Sequence, residues 1–394
     1  MTGSRFVFLR LSALMFLEFF TWGAWIVPIS SYMNATLGFS GTQIGWICAA
    51  SGLGALGSPL FIGYVADRYF ATERILGALH FAGAVCLFLA AGQTTFPSLM
   101  TLIVLDALCF MPTLPLANNM AFRNIADADR YPRIAVGGNV GWVVSGLLVG
   151  IFLGEKTGGF FYFAAAAEAV LAAYCFTLPH TPPKRAEAAP RDVFGLSAAK
   201  LLRQPAFLVF AIAIPLVTIS KTFYTTWTNA FLSEIRMPKP TAVMTLAQIS
   251  EVIAMILMPW FIAKIGLKRV LAFGMAAFAV RYFAFATMHA GAVIGGLLLH
   301  GFSYGFVVAG ASIYAARVAP PGMSARAQSF IALLIFGIGM FAGAQVAGFT
   351  GQQYQPDGAG IHGWTQIWSW AAALAIAACV LFWAGGKDPQ PVAE

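Results

Sequence analysis

The chain alternates long apolar runs with short polar breaks, and the length of the runs decides what they are. About 20 consecutive, mostly apolar residues suffice to cross a bilayer as a helix. Runs of this kind fall at 6–33, 41–66, 72–91, 97–120, 133–153 and 158–179. They recur at 205–232, 240–264, 268–288, 292–316, 324–350 and 363–384. The pattern predicts an all-α polytopic membrane protein with twelve transmembrane helices in two sets of six. The longest polar segment, 180–204, is rich in Pro and positive charge and lies between the sets. Three parts follow: an N-terminal six-helix bundle over 1–179, a linker over 180–204 and a C-terminal six-helix bundle over 205–394.

Composition narrows the function classes. Charged residues make up 10% of the 394 and hydrophobic ones 59%, against about 25% charged in a soluble domain. Cys48, Cys86, Cys109, Cys175 and Cys379 lie inside apolar runs without a CxxC pair, so neither a disulfide framework nor a metal site is expected. Arg5 and Arg10 precede the first run as in a signal peptide. That run, however, holds Glu18 and continues to Met33 without a small-residue cleavage site, so it reads as a retained helix. No phosphate-cradling loop and no nucleophile–base pair in a loop stands out, which argues against ATP-driven transport and against enzymatic chemistry. No cofactor is expected.

The net charge of +8 is better explained by topology than by a nucleic-acid partner. With the N-terminus inside, eighteen of the 23 Lys and Arg fall on the inner face, among them Arg74, Arg123, Arg130, Lys264 and Arg269. Lys156, Arg236 and Lys239 fall outside, and Lys221 and Arg281 sit within spans. This asymmetry predicts a multi-pass protein of the inner cell membrane with both termini in the cytoplasm.

Ionisable residues inside the apolar runs are candidate functional groups, because hydrocarbon cannot solvate them. The eighth run carries Gln248 and Glu251, whose spacing of three puts both on one helical face. Turned toward lipid, that carboxylate would cost roughly 3 kcal/mol. The face therefore looks into protein or a water-filled path, as a packed polar contact or as a solute or proton site. Glu18 stands in a segment with Trp22 and Trp25, a setting that suits a proton carrier, a ring-stacking ligand site or a structural carboxyl. Asp106 precedes Pro112 and Pro115, which free backbone carbonyls in the fourth run and make Thr113 and Asn118 plausible ligands. A kink serving packing alone is the other outcome.

Lys221 opens a polar, aromatic stretch with Thr222, Tyr224, Thr225, Trp227 and Asn229. Such a stretch lines a path for a polar, ring-containing solute, or anchors the helix at the interface. His300 and Tyr304 share a face at i, i+4, with the His able to titrate or to sit neutral and hydrogen-bonded. Glu168, in an Ala-rich run, reads as a structural or interface residue. Gly337, Gly339 and Gly343 read as a close-packing face.

Six plus six helices joined by a basic inner linker resembles the major facilitator superfamily. Gly63-Tyr64-Val65-Ala66-Asp67-Arg68 resembles that superfamily's loop motif of Gly, Asp and Arg. The resemblance makes Asp67 and Arg68 a candidate conformational latch, with a simple topogenic charge pair as the alternative. The matching place in the second half, 263–269, is basic and lacks the acid. The superfamily also implies that the first, fourth, seventh and tenth helices line a central cavity.

Several stretches together look like the nucleoside:proton symporter family of that superfamily. They include Trp22-Gly23-Ala24-Trp25, Met111-Pro112-Thr113-Leu114 with Asn118, Val140-Gly141-Trp142, Thr177-Leu178-Pro179-His180, Gln248-Ile249-Ser250-Glu251, Arg281 and His300-Gly301. The resemblance implies proton-driven nucleoside uptake by alternating access, and carries the family's polar pair onto Gln248 and Glu251. It also shows departures. Arg133 is displaced by two positions, Gly137 and Asn139 stand where relatives have Trp and Thr, and Thr222 and Thr225 stand where Gln and Asn are usual. Gly305 replaces the usual tenth-helix Asp, whereas Glu18 and Asp106 are acids where amides are common.

The expectation is a secondary active transporter whose partners are a small polar solute, protons and lipid. Its proton-coupling residues would be Glu18, Asp106 and Glu251. Its solute ligands would be Trp22, Thr113, Asn118, Asn139, Trp142, Thr222, Tyr224, Thr225, Gln248 and Tyr304. The rivals are a carrier or exporter of a sugar or other small polar metabolite in the same fold, and a non-transporting membrane sensor or scaffold.

Overall fold

A computed structural model describes residues 2–57, 70–125, 130–182, 192, 194–320, 322–356 and 360–388. All regular structure among them is helical. The helices are α1 (Phe6–Thr36), α2 (opening as Gly41–Cys48), α3 (Thr72–Ala90), α4 (Phe96–Asn124), α5 (Tyr131–Leu153) and α6 (Gly159–Cys175). After the linker come α7 (Pro205–Glu234), α8 (Pro240–Ile265), α9 (Leu267–Ala286), α10 (Ala290–Val318), α11 (Ser324–Gln353) and α12 (Trp364–Gly385). Among the described residues ten are long and apolar enough to cross a membrane, and α6 is a shorter apolar helix. The second expected span runs into 58–69, outside the described residues, and the candidate latch Asp67 and Arg68 lies there too.

Local sequence sets the helix ends. A capping box opens α2: Gln43 N–H donates to Ser40 Oγ at 3.3 Å, and Ser40 N–H donates to Gln43 Oε1 at 2.9 Å. Proline stands in the first turn of α4, α5 and α7, where its missing N–H is no loss. In α4 the expected interruption is present: one segment ends at Phe110 and the next starts at Thr113. Pro115 has no N–H to offer the Met111 carbonyl four residues back. By contrast α7 and α8 run through Pro215 and Pro259. Wide π turns occur in α1 (Tyr32–Thr36), α5 (Val149–Leu153), α10 (Gly301–Gly305) and α11 (Leu333–Gly339).

The chain forms two compact units. Unit 1 comprises Met1–Phe39, Leu53–Pro190 and Pro238–Thr245, and unit 2 comprises Ser40–Gly52, Arg191–Met237 and Leu246–Glu394. Unit 1 packs Leu11, Leu14 and Met15 of α1 with Leu76, Met120, Ile134 and Leu171 from four other helices. Helices α1 and α5 approach closely because position 141 is Gly: a Cβ there would run into the Phe16 carbonyl. Two loop ends are tied down by Glu73, which takes His180 Nδ1 at 2.7 Å and the Thr181 N–H at 3.0 Å.

Unit 2 has an aromatic core. Tyr282 and Trp368 stack at 5.5 Å, and Phe231 and Phe285 pack edgewise or stacked around them. The buried polar tips are satisfied by backbone: Trp227 Nε1–H donates to the Ala347 carbonyl, and the Tyr282 hydroxyl to the Ser220 carbonyl, both at 2.8 Å. The start of α2 belongs here, with Trp46 edge-on to Phe341 at 5.9 Å. Asp192 in the linker caps the short helix Leu196–Arg203, accepting from the Leu196 and Ser197 N–H groups at 2.6 and 2.7 Å. The Ser197 hydroxyl, these donors and the Arg326 charge hold its carboxyl below the usual range.

Large apolar side chains point outward from both units, among them Phe81, Phe88 and Val170 in unit 1 and Ile256, Trp260 and Phe349 in unit 2. In water that much apolar surface would drive association; against lipid tails it is the ordinary face of a spanning helix.

Candidate functional site

Each unit buries a cluster of ionisable side chains among the described residues. In unit 1 the hub is His80 of α3, with no exposed surface. Its Nε2 lies 3.1 Å from Glu18 Oε1 of α1, and its Nδ1 lies 3.2 Å from Glu168 Oε1 of α6. Glu18 is fully buried too, and its Oε2 stands 3.0 Å from the Thr113 hydroxyl, which starts the second segment of α4. Asp106, one turn before the α4 break, is 1% exposed, and neither of its carboxyl oxygens has a partner; Glu168 Oε2 has none either. Gly83 makes the room: a Cβ there would meet Glu168 Oε1 at 2.5 Å and Asp106 Oδ1 at 3.2 Å.

Two carboxyls thus flank one imidazole, and a third is buried beside them. With every group ionised the cluster would carry a net double negative charge, a state that apolar surroundings strongly disfavour. Aromatic rings close the space on one side, with Phe110 5.9 Å from the His80 ring and 5.5 Å from Trp22. Trp22 also meets Trp142 edge-on at 5.4 Å, and its buried Nε1–H has no partner.

In unit 2 the cluster is cationic and aromatic. Arg281 of α9 is fully buried, and its guanidinium carbon sits 3.9 Å from the centroid of the Tyr224 ring. Its Nη1 donates to His300 Nδ1 at 2.7 Å. A guanidinium only donates, so this bond fixes the His300 tautomer with its hydrogen on Nε2. That nitrogen faces Glu251 Oε2 at 3.9 Å. The Tyr304 ring stacks on His300 at 5.3 Å, and the Lys221 ammonium lies 5.3 Å from the Tyr304 centroid. Arg281 Nε and Nη2 and the Tyr224 hydroxyl have no hydrogen-bond partner.

Glu251 is placed by its neighbour in sequence. The Ser250 hydroxyl accepts the Gly301 N–H at 2.8 Å, at the first residue of the π turn in α10. A Cβ at Gly301 would collide with the Ser250 carbonyl. The helices therefore touch backbone to backbone, and Glu251 is set opposite His300. A Cβ at Gly305 would stand 3.4 Å from Met255 Sδ and 3.8 Å from Glu251 Cγ.

The structure distributes the expected residues unequally. Glu18, Asp106 and Thr113 gather in the unit 1 cluster with Trp22 and Trp142 at its edge; Tyr224, Tyr304 and Glu251 gather in unit 2. Gln248 is half-buried one turn before Glu251. Thr222 and Thr225 spend their hydroxyls on backbone carbonyls of Thr218 and Thr222, at 2.8 and 3.0 Å. Asn118 accepts from the Tyr131 hydroxyl at 2.6 Å, away from the cluster, and Asn139 is half-buried on α5. Glu168, expected to be a structural or interface residue, joins the unit 1 cluster directly. Sequence reasoning missed His80 altogether, although a titratable ring inside the third apolar run was a signal of the same kind as the acids.

Long apolar helices with ionisable groups buried in each of two units define a secondary transporter of the major facilitator fold. The chain belongs to the nucleoside H+ symporter family, whose sequence model matches residues 6–390. It is similar to YegT of Escherichia coli strain K12, 36% identical over 95% of this chain and 92% of that one. It also resembles the xanthosine permease of the same strain, 27% identical over 98% and 97% of the two chains. Among solved structures it matches the nucleoside transporter NupG with a TM-score of 0.88 and 26% identity, over 96% of this chain and 98% of that one.

Proposed function

We propose that this chain takes up nucleosides across the inner cell membrane together with protons, by alternating access, with both termini in the cytoplasm. The observation that carries the reading is Glu251, mostly buried opposite His300, whose ring packs against Tyr224 and Tyr304, in a family of nucleoside H+ symporters. Two similar proteins bear the names xanthosine permease and nucleoside permease.

Glu251 is the proton carrier of this site. Ionised, it resists being closed off from water; once protonated, it can be buried with the solute at little electrostatic cost. The tautomer of His300 presents an N–H to whichever oxygen of Glu251 is unprotonated. Gln248, Thr222, Thr225, Tyr224 and Tyr304 supply hydrogen bonds and ring faces to the solute in unit 2. Trp22, Thr113, Asn118, Asn139 and Trp142 are the candidates in unit 1, and Asp67 with Arg68 is the candidate latch. Uptake into proteoliposomes with an acid exterior and negative interior tests the reading. A nucleoside should accumulate only with the gradient; if none does, the substrate assignment falls.

A second reading, a ring solute bearing an acidic group, is favoured by Lys221. The residue is 9% exposed, and its ammonium makes no ion pair among the described residues. Thermal-shift comparison of a nucleoside with its 5′-carboxylate decides between them, since the preferred ligand stabilises the folded carrier more at equal concentration.

A further inference from the structure

We propose that His80, Glu18, Glu168 and Asp106 form a second proton-binding site, separate from Glu251, whose filling is sensed at the α4 break through Thr113. The proposal rests on the proton-coupled reading above and adds a second proton to it.

Electroneutrality sets the proton count. If His80 is cationic, two of the three carboxyls must hold protons for the cluster to be neutral; if it is neutral, all three must. No Lys or Arg among the described residues pairs with any of the four. The other titratable groups nearby are thiols: Cys86 on α3 and Cys109 on α4 near Asp106 and Glu168, and Cys175 on α6 near Glu18. None of these brings a compensating positive charge. Among the described residues no group of three or more such side chains is arranged to hold a metal ion. The cation that fits is the proton.

The cluster also has several arrangements of nearly the same geometry. His80 can donate from both nitrogens to ionised Glu18 and Glu168, or donate from one and accept a carboxyl O–H with the other. Asp106 stands in reserve, 99% buried with both oxygens unpartnered. A buried carboxyl with no hydrogen-bond donor is disfavoured as an anion, and Glu168 is the carboxyl beside it across Gly83.

Thr113 connects this chemistry to the backbone. Its hydroxyl has one hydrogen and two acceptors in range: Glu18 Oε2 at 3.0 Å and the Phe110 carbonyl at 2.6 Å. When Glu18 is ionised, the carboxylate draws the hydrogen away from the carbonyl. When Glu18 is protonated on Oε2, it donates to Thr113 Oγ1, and the hydroxyl hydrogen goes to Phe110. That carbonyl ends the first segment of α4, so loading a proton tightens the break and losing it loosens the break.

The test reconstitutes the full chain and measures the proton:solute ratio from the solute gradient that a known pH gradient holds in balance. Two sites predict a solute ratio that follows the square of the proton gradient; Glu251 alone predicts the first power. Glu18→Gln should lower the exponent from two to one. An exponent of one in the unaltered chain overturns the proposal. A readout that needs no solute guards against misfolding and against failure of the nucleoside assignment. In Glu251→Gln protein, infrared spectroscopy should show a carboxylic-acid C=O band that exchanges in heavy water and fades as pH rises. It should shift in His80→Gln. A band that stays constant with pH would mean permanent, structural protons and would also overturn the proposal.

Discussion

The two buried clusters solve opposite problems. Unit 1 gathers three acids around one imidazole, and its hub residues are sealed; unit 2 gathers two cations, a neutral imidazole and one acid among aromatic rings, and Glu251 keeps 18% of its side chain exposed. An acid-rich cluster without cations can become neutral only by binding protons. The cation-rich one sets two cations against one acid and offers ring faces and donors. On the proposed reading the unit 1 cluster takes up protons, whereas the unit 2 cluster sets one proton carrier, Glu251, among donors and ring faces, so substitutions in each cluster should fail in different ways.

The largest effect is expected at Glu251. Glu251→Gln should lower uphill accumulation by about 100-fold or more, the scale on which positioned proton carriers matter, while counterflow exchange persists. Loss of exchange as well would assign Glu251 to binding rather than coupling. Next comes Arg281→Met, which strips a buried donor from His300 Nδ1 and a cation from the Tyr224 ring. Removing one partner of a buried charged contact costs about 3 kcal/mol, so thermal unfolding in detergent should shift down clearly. An unchanged unfolding temperature would mean that the unit 2 cluster is not held by its guanidinium.

Smaller effects test how the acid of unit 2 is placed. Gly301→Ala forces α10 away from α8 and should cost about 2 kcal/mol, as overpacking does, with a weaker apparent solute affinity. Ser250→Ala leaves the Gly301 N–H unpaired at about 1 kcal/mol. If it changes solute affinity as much as Gly301→Ala does, the hydroxyl rather than the close approach positions Glu251. The smallest effect belongs to the linker. The Asp192 carboxyl is held low by its donors, so its cap is complete at neutral pH and is lost as pH falls through that lowered value. Protease cleavage between Leu196 and Arg203 should therefore speed up only in acid, and Asp192→Asn should flatten that dependence.

Much of this was legible from the chain. The apolar runs placed the helices because bilayer thickness fixes their length, and prolines 112 and 115 announced the break in α4. Gln248 and Glu251 were found by their spacing on one helical face. His80 was not found, because it counts as neutral in a charge inventory and its partners lie 62 and 88 residues away. Glu168 was legible as a structural or interface residue, but its partner His80, 88 residues away on another helix, was not. Asn118 shows the converse, a polar residue on an expected face whose amide oxygen is already taken by Tyr131.

The wide turn at Gly301–Gly305 in α10 has one further consequence. A π turn holds one more residue than an α turn, so it is a stored register shift. Tightening it to ordinary α geometry would rotate the helix on one side of it by about 100° relative to the other. The His300 side of the turn would then face differently from the helix beyond it, and Glu251 would lose its facing N–H. A single-residue deletion within 301–305 would freeze α10 in that unwound register, giving a carrier that still folds but can no longer turn its imidazole toward the acid.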